Sequence, residues 1–188
     1  MPRLKEEELI HQLLDPQSRR NAFSEMVSQY SSRVYWQIRR MVTYHDDADD
    51  ILQNTFLKAW QGLDSFRGES KLSTWLYRIA YNETLTYLGK QRPTISLDIS
   101  QDFDDEESNT LLNQLESSPY FDGDSTMRML QSAIAGLPPK QRSVFTMKYF
   151  DDMKYEDISD VTGTSVGALK ASYHLAVKKI EYYFNSHD

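Results

Sequence analysis

The amino-acid sequence predicts an all-α protein: two small helical domains joined by an acidic linker. Three observations carry the prediction. Apolar residues recur every three to four positions through the long segments, the period of a helix with one buried face. No convincing run of alternating apolar and polar residues marks a strand. The charge is also unevenly placed. Residues 1–92 hold 13 Lys and Arg against 12 Asp and Glu, residues 93–125 hold none against 9, and residues 126–188 hold 8 against 7. A chain of 188 residues has room for two domains of this kind. The predicted boundaries are 1–92, 93–125 and 126–188.

Helices are expected first at Glu6–Leu14 and Arg19–Met41, the second carrying Phe23, Met26, Val27, Tyr30, Val34 and Ile38 on one face. A third starts near Asp46, read as its cap, with an apolar side of Ala48, Ile51, Leu52, Phe56, Ala59, Trp60 and Leu63. Asp46, Asp47, Asp49 and Asp50 sit in its first turns, where the helix dipole favours negative charge. A loop, Asp64–Glu69, precedes a fourth helix capped by Ser70 and buried through Leu72, Trp75, Leu76, Ile79, Ala80 and Leu88. The linker contains Asp102, Asp104, Asp105, Glu106 and Glu107, whose like charges extend a chain, and it has room for a short helix at Leu111–Leu115. Beyond it, Thr126–Ala135 reads as a helix and Pro138-Pro139 opens another that runs to about Phe150. Tyr155–Val161, the turn Thr162-Gly163-Thr164 and a long helix from Ser165 to about Phe184 make a helix-turn-helix.

Several classes of function find no support. There is no cysteine, which excludes disulfides and thiolate metal sites and fits a reducing compartment. No apolar signal region or membrane-length apolar run is present, so a cytoplasmic protein without membrane insertion is expected. The aspartate quartet is explained by dipole capping, and the histidines His11, His45, His174 and His187 are scattered. No metal and no cofactor is therefore expected. No nucleophile with its base and no phosphate-cradling glycine loop appears, so neither an enzyme nor a small-molecule substrate is expected.

The helix faces point elsewhere. On the last helix Val166, Leu169, Tyr173, Ala176, Val177 and Ile180 form the core side, while Gly167, Lys170, Ala171, His174 and Lys178 form a small or basic side. Small residues let a helix sit deep in a major groove, and lysines reach phosphates or base edges. A solvated amphipathic helix accounts for the lysines equally well until the preceding turn and helix are added. On the fourth helix Lys71, Ser73, Thr74, Tyr77, Arg78, Tyr81 and Asn82 lie away from the apolar stripe, with Phe66 and Arg67 just before it. Aromatic and amide groups beside basic ones suit unpaired bases. The third helix exposes Asp50, Gln53, Asn54, Leu57 and Lys58.

Taken together these residues resemble the extracytoplasmic-function (ECF) sigma factors of bacterial RNA polymerase. The segment D-A-D-D-I-L-Q-N-T-F-L-K-A-W, Asp47–Trp60, is similar to the core-binding helix of their region two. Phe66–Asn82, F-R-G-E-S-K-L-S-T-W-L-Y-R-I-A-Y-N, is similar to the loop and helix that open and read the minus-ten element. Leu137–Phe150 and Tyr155–Ile180 are similar to region four, which reads the minus-thirty-five element. The resemblance implies core polymerase contacts at Asp50, Gln53, Asn54 and Leu57. It implies minus-ten contacts at Phe66, Arg67, Gly68, Glu69, Ser70, Lys71, Ser73, Thr74, Arg78 and Asn82. It implies minus-thirty-five contacts at Ser165, Gly167, Ala168, Lys170, Ala171, His174 and Lys178. Promoter DNA, core RNA polymerase and an anti-sigma factor are the implied partners, and the acidic linker would mimic RNA in the polymerase cleft. The chain departs from the family pattern at Asn54, Tyr81 and Lys154, and at Ser172, Leu175 and Val177, where arginines are common. A stand-alone helix-turn-helix regulator of duplex DNA is the other reading, and it leaves Asp47–Asn82 without a role.

Overall fold

A computed structural model describes residues 5–91 and 125–187, and among them eight α-helices and no strand. The helices are α1 (Glu6–Leu14), α2 (Arg19–Arg39), α3 (His45–Gly62), α4 (Leu72–Gln91), α5 (Ser125–Ala135), α6 (Pro139–Tyr149), α7 (Tyr155–Thr162) and α8 (Val166–His187). A single 3-10 turn, Leu63–Ser65, follows α3. The linker read at 93–125, with its short helix at Leu111–Leu115, lies outside the described residues apart from Ser125. The described residues fall into two compact units, one of 5–87 with Asp160–Gly163 and one of 88–91, 125–159 and 164–187.

In the first unit, α2 is the central strut. Ala22, Met26, Tyr30, Val34 and Ile38 recur along it and are buried. α2 packs against both α1 and α3. α1 contributes Leu9 and Leu13, α3 contributes Ala48, Ile51, Phe56 and Ala59, and α4 contributes Leu72, Leu76 and Ala80, all buried. Each large side chain taken fully from water contributes about 1.5–3 kcal/mol, which lets a unit this small hold together. Phe23 meets the rings of Phe56 and Trp60 edge-on at 6.4 and 5.0 Å.

Two expected caps are supplied differently. α3 begins at His45, so Asp46 lies inside the first turn and serves the dipole rather than the cap position. α4 begins at Leu72, and the Leu72 N–H donates to Glu6 Oε1 of α1 at 2.7 Å. The apolar side of α3 is also narrower than its sequence: Trp60 is 42% exposed. On α4, Tyr77 and Tyr81 were expected on the outer side and are instead buried, while Trp75, Ile79 and Leu88 are half-buried.

In the second unit, Ala133, Ile134, Leu137, Phe145, Ala176 and Ile180 form one core, with Leu130, Phe150, Tyr173, Val177, Tyr183 and Phe184 packed on it. α8 lies against both α5 and α6. The buried Arg142 of α6 reaches back to donate from Nη2 to the carbonyls of Ala135 and Leu137. It thereby satisfies the open end of α5, a role that cationic side chains fill at helix C-termini. Burial pulls its pKa down to about 10, so it stays protonated at neutral pH.

Candidate polymerase and promoter interfaces

The α3 surface is the simplest to build. Gln53 and Asn54 each stand three or four residues from both Asp50 and Leu57, so the four share one side of the helix. All four are exposed, and Leu57 is 56% exposed. Leu57 gives this side an apolar centre between polar neighbours, the pattern of apolar core and polar rim found at protein interfaces. Lys58, beside them, pairs with Glu83 of α4. The hydroxyl of Tyr87 on α4 bonds to Asp47 of α3, and burial together with that carboxylate pushes the Tyr87 pKa up.

The loop between α3 and α4 is built from backbone and core as much as from surface. Phe66 is 5% exposed and stacks at 4.6 Å on Trp75, with 34° between the rings. Thr74 is 4% exposed. Both side chains therefore lie in the core, where they anchor the loop and the start of α4. Gly68 has φ = 72°, a region L residues rarely adopt, and a Cβ there would stand 3.1 Å from Ile10 Cγ2. Its place in the loop is explained by conformation and close approach. Arg67, Glu69, Ser70, Lys71, Arg78 and Asn82 are exposed and Ser73 is half-buried. Sequence reasoning missed Glu6 and Ile10 of α1, which hold this loop from more than fifty residues away. Glu6-Glu7-Glu8 form the acidic first turn of α1, and no local pattern marks the distant contact.

On α8, Ser165, Gly167, Ala168, Lys170, Ala171, His174 and Lys178 are all exposed. Gly167, Lys170, Ala171, His174 and Lys178 share one side, and Leu169 and Ala176 are buried on the other. The Ala168 N–H donates to Ser165 Oγ at 3.3 Å, so Ser165 caps the helix. Gly163, with φ = 71°, turns the chain between α7 and α8. Tyr155, at the start of α7, has the ammonium groups of Lys148 and Lys170 over its ring at 5.4 and 5.8 Å. No spacing rule pointed to Tyr155.

His45 does pair with the acidic quartet, contrary to expectation: its Nδ1 lies 2.9 Å from Asp46 Oδ1 and 3.9 Å from Asp49 Oδ2. All three residues are exposed at the start of α3, where dipole and solvent account for them.

Exposed small and basic residues on a helix that follows a tight turn, in a chain that also carries a helical unit with a glycine-turned loop, are the makeup of a helical DNA-binding factor. Residues 26–94 match the family Sigma-70 region 2, and residues 127–180 match the family Sigma-70, region 4. The ECF RNA polymerase sigma factor SigW of Bacillus subtilis is 31% identical over 159 residues, which are 82% of this chain and 84% of that protein. The ECF RNA polymerase sigma-E factor of Haemophilus influenzae is 31% identical over 168 residues, 88% of each. In fold, the chain is similar to CnrH in its complex with the cytosolic domain of CnrY (TM-score 0.69, 20% identity, 97% of this chain and 99% of that one). It is also similar to the sigma factor RpoE of Bartonella quintana in complex with the anti-sigma factor NepR (TM-score 0.65, 21% identity, 87% and 96%). The chain belongs to the extracytoplasmic-function sigma factors of bacterial RNA polymerase. It directs core polymerase to promoter DNA in transcription initiation. Among the described residues no helix is long and apolar enough to cross a membrane.

Proposed function

We propose a division of labour by surface. The α3 side made of Asp50, Gln53, Asn54 and Leu57 meets core polymerase. The exposed residues of the α3–α4 loop and of α4, from Arg67 to Asn82, receive the unpaired minus-ten strand over a floor formed by Phe66 and Thr74. The α8 side from Ser165 to Lys178 reads the minus-thirty-five element. Residues 1–92 then act as the polymerase and minus-ten domain and 126–188 as the minus-thirty-five domain, with 93–125 as the acidic tether in the polymerase cleft.

The factor acts without catalysis of its own. Promoter melting draws on binding energy alone, because capture of an extruded base offsets the cost of unstacking it. A place in the cytoplasm follows from work on RNA polymerase and fits the absence of cysteine. An anti-sigma factor that covers the same surfaces in the idle state is the expected regulator. The neighbour described in complex with NepR supports that reading.

The observation that carries the proposal is Leu57, an exposed aliphatic residue in line with three exposed polar ones on a single helix side. A stand-alone duplex-binding regulator has no use for it. The test is capture on core RNA polymerase from the source bacterium, comparing wild type with a Gln53→Ala, Leu57→Ala double variant. Wild type is expected to bind and the double variant to lose at least tenfold in affinity, the size of effect seen when central contacts are removed. Equal binding by both would move the interface away from α3.

A further inference from the structure

Three contacts converge on the loop between α3 and α4, and all three come from α1 or from the start of α2. Arg19 Nη1 donates to Asp64 Oδ1 at 2.7 Å. Ile10 lies close to Gly68, where a Cβ would stand only 3.1 Å from Ile10 Cγ2. Glu6 Oε1 accepts the Leu72 N–H at 2.7 Å, and Glu6 Oε2 lies 3.4 Å from the Tyr30 hydroxyl. The third contact is the unusual one. A helix normally has its first amides satisfied by the side chain at its own cap position. Here that position is Lys71, whose ammonium group offers donors only. The acceptor arrives instead from a residue 66 positions earlier in the chain.

We infer that Glu6 is a positioning residue for promoter opening: its half-buried carboxylate fixes the start of α4 and so holds the Phe66–Lys71 loop in the shape that receives an unpaired base. The inference rests on the minus-ten role proposed above for that loop. The physical reason is preorganisation. A loop already held in its bound shape does not have to be ordered when the base arrives, so more of the contact energy is left for melting. The segment has little regular structure of its own, only the short 3-10 turn, and it turns at a glycine in the left-handed region. Its shape is therefore set by what it packs on: Phe66 on Trp75, Arg19 of α2 and, at the start of α4, Glu6 of α1. Core polymerase binding, by contrast, uses the outer side of α3 and does not involve Glu6.

The experiment uses holoenzyme reconstituted from the full chain and core RNA polymerase of the source bacterium. Wild type is compared with Glu6→Ala, Glu6→Gln and Arg67→Ala. Three quantities are read: affinity for core, affinity of the holoenzyme for a labelled single-stranded non-template oligonucleotide from a promoter it transcribes, and permanganate reactivity of thymines in the matching duplex. Glu6→Ala should weaken oligonucleotide binding about fivefold and lower thymine reactivity in step, the loss of one helix cap. Core affinity should stay within about twofold of wild type, because the α3 contact surface is untouched. Glu6→Gln keeps an acceptor oxygen and should restore most of the loss. Oligonucleotide binding that Glu6→Ala leaves unchanged would overturn the inference. So would a parallel loss of core affinity, which would make Glu6 a general structural residue. Arg67→Ala separates the two readings. If it loses oligonucleotide binding while Glu6→Ala does not, only the role of Glu6 fails. If neither variant loses binding, the minus-ten role of the loop fails as well.

Discussion

The loop before α4 and the outward side of α8 are both assigned to DNA, yet they are constructed in opposite ways. The loop is shaped by residues far away in sequence: Glu6, Ile10 and Arg19 hold Leu72, Gly68 and Asp64. The α8 side is shaped locally. Ser165 caps the helix three residues before Ala168, Gly163 supplies the turn, and Leu169 and Ala176 anchor the opposite side. A receiver for unpaired bases needs an irregular concave surface, which no single element provides. A groove-reading helix needs only to be a helix with one side left bare. Irregular surfaces are therefore expected to depend on distant residues, and regular ones on their neighbours.

The largest expected effect tests the anchor of the local design. Leu169 is fully buried, and Leu169→Ala should cost about 3 kcal/mol of stability in urea unfolding. Binding to minus-thirty-five duplex should fall with it, because the whole reading side is carried on one helix. A variant that keeps full duplex affinity would show that something beyond Leu169 and its neighbours orients α8.

The two left-handed glycines sharpen the contrast. Gly68→Ala meets both an unfavourable φ and Ile10 Cγ2 at 3.1 Å, whereas a Cβ at Gly163 meets nothing within 4 Å. Gly163→Ala should cost about 1 kcal/mol, the strain alone, and Gly68→Ala about 2 kcal/mol. Adding Ile10→Ala to Gly68→Ala tests the difference by relieving the contact. Equal costs in thermal unfolding for the two glycines would mean that α1 does not constrain the loop.

The smallest effect concerns charge on α8. Lys170→Ala and Lys178→Ala should each reduce the slope of log affinity against log salt by about 1, if each lysine neutralises a phosphate. The check is a salt titration of holoenzyme on duplex DNA. A change in base preference with an unaltered slope would turn either residue from a phosphate contact into a base reader.

The same contrast explains what could be read in the sequence. Helix positions came from apolar period, turn glycine and proline placement, all local signals, and the α1 and α7 starts and the Pro139 start of α6 fall where those signals put them. The α8 side was legible for the same reason: a period of 3.6 sorts Gly167, Lys170, Ala171, His174 and Lys178 away from Leu169 and Ala176. Phe66, Thr74, Tyr77 and Tyr81 were not. Their burial depends on what crosses over α4, and an aromatic ring or a threonine serves a core or a surface equally well. Glu6 escaped notice because a carboxylate in a first turn already has a sufficient local explanation in the dipole. The ring of Tyr155 beneath Lys170 joins residues fifteen positions apart on different helices, beyond any periodic rule.

Arg142 has a consequence for the order of folding. α5 is only eleven residues long, and short helices are marginal in water because nucleation is costly. The N–H groups of Gly136 and Leu137 take the carbonyls of Ser132 and Ile134, but the carbonyl of Ala135, its last residue, finds a donor on the next helix, seven positions further on. The last bond at the end of α5 therefore forms only once the first turn of α6 is in place, and the pair should appear together rather than in succession. Because the loop to be closed is so short, that joint step costs little chain entropy and can come early. It leaves a ready-made corner on which the long α8, synthesised after both, can settle.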